Sequence, residues 1–118
     1  MEKIVRQSLL YDFYGELLTE NQKSIYENVV MDDLSYSEVA REYGISRQGV
    51  FDMMKRCDKK LEEYEEKLKL VEKFVHAREK VAEIQTHIVK LREKNENPML
   101  DADFSSIEQE ISGLLDEF

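Results

Sequence analysis

The side chains best able to do chemistry cluster between residues 46 and 60. This stretch holds five basic residues against two acidic ones, a local balance of +3, in a chain whose net charge is −9. Arg47 has the shape to bond guanine O6 and N7 together, and Gln48 has the shape to bond adenine N6 and N7. These residue types predict recognition of a nucleic acid by hydrogen bonds and ion pairs.

The side chains of this stretch divide into those suited to base edges and those suited to phosphates. Ser46 caps a predicted helix, and Arg47 and Gln48 lie at its start, where a DNA-reading helix meets base edges. The basic residues that follow are better placed for phosphates, which set register without reading sequence. Asp52 either accepts a hydrogen bond from a cytosine amino group or holds Arg56 four residues on. The predicted contact surface comprises Ser46, Arg47, Gln48, Asp52, Lys55, Arg56 and Lys59.

Residues typical of catalysis and metal binding are placed where they cannot cooperate. His76 and His87 are eleven residues apart, about 16 Å along a helix, which is too far for one metal ion. The single cysteine, Cys57, falls on the inward face of the predicted helix, so we interpret it as a small buried hydrophobe. A glycine-rich phosphate loop and paired catalytic residues are absent. We therefore predict no enzymatic activity, no metal and no cofactor.

Residues 36–56 have the pattern that would position the contact surface. Ala40 is the small residue that two closely crossing helices need, and Gly44 tolerates positive φ in the sharp turn between them. This order of small, glycine and apolar positions predicts a helix-turn-helix whose second helix enters the major groove. The side chains predicted to face inward are Val39, Tyr43, Ile45 and Val50, with Met53 or Met54.

Apolar spacing and helix-start signals predict the other elements of the N-terminal half. Apolar side chains at intervals of three, four and one predict a first helix over residues 3–18. Thr19 and Gln22 form a capping box that starts a second helix. Ser35 and Glu38 form another, which starts the first helix of the helix-turn-helix.

The C-terminal half has the apolar pattern of one long helix. From Leu61 onward apolar side chains step by three and four, which predicts a helix over residues 65–94, about 45 Å long. Asn95–Pro98 ends this helix, and a capping box at Ser105–Glu108 starts a short last helix. Either the last helix folds back on the long one or a second chain covers both. We expect a homodimer.

The predicted fold is all-α and has two parts. Residues 1–62 form a helical head that contains the helix-turn-helix at 36–56. Residues 63–118 form a long acidic amphipathic helix and a C-terminal helix, which together serve as the dimerisation region.

Charge and composition restrict the partners and the location. Residues 1–60 carry 9 basic and 11 acidic residues, a balance of −2, and residues 61–118 carry 8 basic and 15 acidic residues, a balance of −7. The acidic second half disfavours tight unaided binding to a phosphate polyanion. The chain has no apolar run of membrane-spanning length and no signal-peptide pattern, and one cysteine suits a reducing compartment. We expect a cytoplasmic protein without membrane contact.

Several segments resemble known helix-turn-helix families. Residues 31–60 resemble region 4 of bacterial sigma factors, on the segments DLSYSEVA and GISRQGV. Residues 6–75 more closely resemble the YlxM family of low-GC Gram-positive bacteria, on LLYDFYGELLTENQ, DDLSYSEVAREYGISRQGVFD and KRCDKKLEEYEEKLKL. The resemblance implies a DNA-binding protein with a sigma region 4-like head. Because the family's genes lie beside those for the signal recognition particle GTPase, it also implies a role in that targeting pathway.

Three functions remain open on the sequence. The first is a dimeric regulator that binds duplex DNA. The second is an accessory protein of the signal recognition particle that contacts its RNA or its GTPase. The third is an interaction protein whose acidic helices bind another protein.

Overall fold

The computed structural model describes all 118 residues, which form six α-helices and no strand. One-turn 3-10 helices at Gly15–Leu17 and Pro98–Leu100 precede the second and the last α-helix. None of the six helices combines the length and the apolar composition needed to cross a bilayer. The all-α prediction is confirmed, with a helix-turn-helix in the N-terminal half followed by a long helix and a final helix. The helices are α1 (Lys3–Tyr14), α2 (Glu20–Val30), α3 (Tyr36–Tyr43), α4 (Arg47–Leu68), α5 (Leu70–Lys94) and α6 (Asp101–Glu117).

The chain divides into two compact units, Met1–Val71 and Glu72–Phe118. In the first unit α1, α2 and α3 each pack against α4. A polar contact crosses this core where the Tyr26 hydroxyl donates to Asp58 at 2.7 Å. Because all three short helices rest on α4, that helix is held rigidly along its inner face. The side chains that are fully buried here include Leu10, Tyr14, Ile25, Tyr26, Val39, Val50, Cys57 and Leu61.

Both predicted capping boxes of the first unit are confirmed. The Thr19 hydroxyl accepts from the Gln22 N–H at 3.2 Å, and the Gln22 side chain accepts from the Thr19 N–H at 3.0 Å. Ser35 and Glu38 make the same reciprocal pair at 3.1 and 3.2 Å. Each box satisfies amides that the first turn of a helix leaves without a partner, which explains why α2 and α3 start where they do.

The predicted single helix over residues 65–94 is wrong. α4 continues to Leu68, and α5 starts at Leu70. Between them Lys69 takes a left-handed conformation with φ +57°, which is uncommon for a residue with a side chain. The helix that carries the predicted contact surface therefore ends at Leu68, an end that the sequence did not place, and the acidic helix begins at Leu70 rather than at residue 65.

A buried polar cluster stabilises the break between α4 and α5. The Tyr14 hydroxyl donates to the Glu65 carboxylate at 2.6 Å and accepts from the Leu70 N–H at 3.1 Å. Glu65 is 5% exposed and also accepts from the Val71 N–H at 2.9 Å. Tyr14 lies 51 residues before Glu65, so apolar spacing along residues 65–94 contained no sign of the break.

The second unit is a helical hairpin in which α6 returns along α5. The ring of Phe74 meets the ring of Phe118 edge-on, with centroids 5.3 Å apart. Close to the connecting loop, Arg92 donates to the carboxylate of Glu108. The sequence left two arrangements open, and the structure shows the one in which the last helix folds back on the long helix. Ile111 is the one side chain of this unit that is buried.

Two other predicted helix ends differ from the structure. The first helix ends at Tyr14 rather than residue 18, because the 3-10 turn Gly15–Leu17 takes the place of its last turn. The last helix starts at Asp101 rather than Ser105, after a turn in which the Asn97 side chain accepts from the Met99 N–H at 3.0 Å. The pattern at Ser105 lies inside α6, where the capping-box spacing has no amides to satisfy.

Candidate nucleic-acid interface

The turn between α3 and α4 has the predicted construction. Gly44 takes a left-handed conformation with φ +66° and ends α3, and the Ile45 N–H donates to the Ala40 carbonyl at 3.1 Å. The hydroxyl of Ser46 accepts from the Gly49 N–H at 2.9 Å and so caps α4. This use of the Ser46 oxygen as an acceptor leaves its proton available to a phosphate.

The inner face of α4 is anchored in the core. Val50, Met54, Cys57 and Leu61 are all fully or almost fully buried, so Met54 rather than Met53 is the core methionine. Burial raises the pKa of the Cys57 thiol to about 11, which keeps it neutral and unreactive.

The other three side chains predicted to face inward differ in their burial. Val39 is buried, and Tyr43 is half-buried with its hydroxyl accepting from Asn28 at 2.9 Å. Ile45 is 40% exposed, so its predicted position beneath the turn is wrong. The Ile45 side chain lies beside Gly49 in the first turn of α4, where no side chain is present to cover it, so Ile45 stays at the surface.

All seven predicted contact residues are exposed. Ser46 and Arg47 lie at the N-terminal end of α4. Because Gln48, Asp52, Lys55 and Lys59 recur at intervals of three and four, they share the face of α4 opposite its buried residues. Arg56 lies at the edge of this face. The structure thus places four of the seven residues on the outer face of α4 and Arg56 at its edge, while Ser46 and Arg47 are exposed because they lie at the N-terminal end of the helix.

Asp52 does not bond Arg56, the one partner within the chain that the sequence offered. The Gln48 side-chain amide donates to Asp52 at 3.1 Å, and no ion pair joins Asp52 to Arg56. The expectation that Asp52 holds Arg56 is therefore wrong. The bond fixes the direction of the Gln48 amide and leaves one of its protons and its carbonyl oxygen free to bond a base edge.

An aromatic residue of the same helix was missing from the predicted surface. Phe51 lies three residues after Gln48 and four before Lys55, and its side chain is 44% exposed. Its ring meets the ring of Tyr36 edge-on, with centroids 6.3 Å apart, and the Lys55 ammonium lies 5.7 Å from its centroid. The helical spacing from Gln48 could have identified this residue, because the buried stripe of α4 skips it.

The charges are distributed unevenly between the two units. Residues 1–71 carry 11 basic and 15 acidic residues, a balance of −4, and residues 72–118 carry 6 basic and 11 acidic residues, a balance of −5. Within the first unit the outer side of α4 is the one basic helix surface, with Arg47, Lys55, Arg56 and Lys59 exposed. This surface is therefore the part of the first unit best suited to a polyanion.

Comparisons with known proteins agree with this geometry. The family described as "Putative helix-turn-helix protein, YlxM / p13 like" (UPF0122) matches residues 1–100, which include α1 to α5. A UPF0122 protein of Shouchella clausii is 46% identical over 88 residues, covering 75% of this chain and 81% of the relative. UPF0122 proteins of Bacillus cereus and Bacillus thuringiensis are each 44% identical over 96 residues, covering 81% of this chain and 87% of the relative.

Proposed function

Because the chain belongs to the UPF0122 family of YlxM-like helix-turn-helix proteins, we propose that it is a regulator that reads duplex DNA with the outer face of α4. The YlxM resemblance of residues 6–75 is thereby confirmed. One observation carries the proposal: a polar and basic face is exposed on a helix whose opposite face is fully buried. An α-helix of this kind fits the major groove of B-form DNA, and such a protein would act in the cytoplasm.

The residues of α4 would have different roles. Arg47 and Gln48 read base edges from the N-terminal end, with Asp52 holding the Gln48 amide. Lys55, Arg56 and Lys59 bind phosphates further along the helix, and Ser46 donates its free hydroxyl proton to another phosphate.

The experiment is selection of preferred duplexes from a random pool, followed by fluorescence-anisotropy binding of variants. Arg47→Ala and Gln48→Ala are expected to lose about 5- to 100-fold in preference for the selected duplex over random DNA, because each removes a bidentate base contact. Arg78→Ala, which removes an exposed arginine of the second unit, is the matched control and keeps the preference. Unchanged preference in both α4 variants would contradict the proposal.

A second candidate function is that of an accessory protein of the signal recognition particle, bound to its RNA or its GTPase. The balance of −5 on the second unit favours the contact with the GTPase over that with the RNA, because an acidic surface attracts a basic protein surface and repels any phosphate polyanion. Stronger binding to the particle's RNA than to any duplex, or co-purification with the GTPase, would support this candidate. Failure to bind any nucleic acid at low salt would favour a pure protein-interaction role.

We also propose that the protein is a homodimer joined through its second unit. The hairpin buries one side chain, whereas Ile84, Leu91, Ile107 and Leu114 are exposed. The members of each pair are seven residues apart, or about two turns, so each pair lies on one side of its helix. Leu91 directly precedes Arg92 and Ile107 directly precedes Glu108, the two residues that pair across the hairpin, so both apolar pairs lie in the same rotational direction from the contact and on one side of this antiparallel hairpin. A hairpin this small needs further apolar cover, and a second copy offers a matching face.

Light scattering over micromolar concentrations tests the dimer. The wild-type protein is expected at twice the chain mass of 14.0 kDa. Leu91→Glu and Leu114→Glu should return it to the chain mass, because each places a charge in the apolar contact. Thr86→Glu changes the opposite side of α5 and is the control. A wild-type protein at monomer mass throughout would contradict the dimer.

A further inference from the structure

Phe51 is an exposed aromatic residue on a helix whose core positions are filled by other residues. Its side chain is 44% exposed, while its neighbour Val50 is completely buried. Leaving an aromatic ring in water forgoes the stabilisation that its burial would bring. The fold therefore does not explain why this position carries a phenyl ring, and a ligand that covers the ring would.

The surroundings of Phe51 place it among the groups proposed to meet DNA. Gln48 lies one turn before it and Lys55 one turn after it on α4. The Lys55 ammonium lies 5.7 Å from the ring centroid, and the ring of Tyr36 meets it edge-on at 6.3 Å. These two neighbours cover part of the ring, and 44% of the side chain remains open to solvent. The ring is thus an apolar contact inside a basic, hydrogen-bonding face.

We propose that Phe51 contacts the C5-methyl group of a thymine in the major groove, so that the preferred site contains a thymine at that position. The proposal rests on the proposed function, that is, on DNA binding by α4. The methyl of thymine is the apolar group that base pairs present in the major groove, and phenylalanine is among the side chains that contact it. Gln48 beside it is suited to adenine, so one turn of α4 would read A·T pairs through both bases.

The same ring is less suited to RNA. Uracil has no C5-methyl group, and the major groove of A-form RNA is too deep and narrow for side chains to read. The lysine next to Phe51 is drawn toward backbone phosphates in a duplex, which would keep the helix in the groove. Duplex DNA is therefore the ligand that matches both the apolar and the charged parts of this surface.

The test replaces thymine by uracil, one position at a time, in the duplex that selection identifies. With the wild-type protein, one replacement is expected to weaken binding about fourfold, the effect of one buried methyl group. Phe51→Ala should bind the thymine duplex more weakly and lose the sensitivity to uracil at that position. Leu68→Ala is the control, because it removes an exposed apolar side chain of α4 outside the helix-turn-helix.

Each outcome decides the proposal. Wild-type binding that no uracil replacement weakens overturns the thymine contact and leaves DNA binding intact. A uracil effect that persists in Phe51→Ala assigns the methyl contact to another side chain and also overturns it. Tighter binding to single-stranded DNA or RNA, lost in Phe51→Ala, makes the ring a base-stacking platform instead. Absence of binding to every duplex overturns both this inference and the proposed function.

Discussion

At the scale of single residues, the hydrogen bond between Asp52 and Gln48 restricts the direction of the Gln48 side-chain amide. An acidic side chain on a DNA-facing surface repels phosphates, so its presence has a cost for affinity. The bond from Gln48 gives a compensating role, because an amide held in one direction loses less side-chain entropy when it meets a base. On the proposed function, Asp52 would be a positioning residue for Gln48.

Two substitutions separate the charge of Asp52 from its hydrogen bond. Asp52→Asn keeps an acceptor for Gln48 and removes the charge, so it should tighten binding to random DNA up to about fivefold and keep sequence preference. Asp52→Ala should tighten random binding equally and lose preference, because the Gln48 amide becomes free to turn. Anisotropy titrations against the selected and the random duplex measure both effects. Equal preference in the two variants would show that the bond to Gln48 has no role in reading.

At the scale of elements, the turn between α3 and α4 depends on the left-handed conformation of Gly44. A Cβ at this position would meet no atom within 4 Å, so any cost of adding one comes from the backbone alone. Gly44→Ala should lower the free energy of unfolding by about 1–2 kcal/mol. Gly113→Ala also adds a methyl in open space, but inside α6, and should raise it by about 0.5–1 kcal/mol. Urea unfolding followed by circular dichroism measures both changes. A change of the same sign in the two variants would contradict this role of the Gly44 backbone conformation.

The break between α4 and α5 depends on the hydroxyl of Tyr14. Tyr14→Phe removes the donor to Glu65 and the acceptor for the Leu70 N–H, so we expect a loss of about 1–3 kcal/mol in the free energy of unfolding. Tyr64→Phe is a matched control, because the Tyr64 ring packs 6.0 Å from that of Tyr14 and its hydroxyl makes no hydrogen bond within the chain. We expect that control to stay within about 0.5 kcal/mol of the wild type. Equal losses would show that the ring, rather than the hydroxyl, stabilises the break.

At the scale of the whole molecule, the proposed function requires an acidic protein to bind DNA through a small basic surface. If Lys55, Arg56 and Lys59 each meet a phosphate, the logarithm of the binding constant should fall with the logarithm of salt concentration with a slope of about −2.7 for each bound head. A dimer that binds with two heads should give about twice that slope. Lys59→Gln should reduce the slope by about 1 for each head. Lys80→Gln, whose lysine pairs with Glu83 in the second unit, should leave it unchanged. A slope near zero would exclude phosphate contacts by α4.

Much of the candidate site could be predicted from the sequence because its determinants are local. The left-handed Gly44, the Ser46 cap and the buried stripe of α4 each depend on residues within about one or two helical turns. Phe51 was missing because an aromatic residue in a helix is expected in the core, and only its measured exposure shows otherwise. The partner of Asp52 was missed because Gln48 and Arg56 are both four residues away, and spacing alone does not choose between them.

The sequence by itself determined the all-α class, the helix-turn-helix and the two capping boxes, since periodicity and capping act between residues close in the chain. Tertiary structure alone decided where α4 ends and α5 begins. The hydroxyl that holds the break comes from Tyr14, 51 residues before Glu65, and folding is needed to bring the two together. Tertiary structure also decided that α6 covers part of α5. The apolar face of α5 can pack against any matching apolar face, so the sequence of α5 alone does not determine which helix covers it.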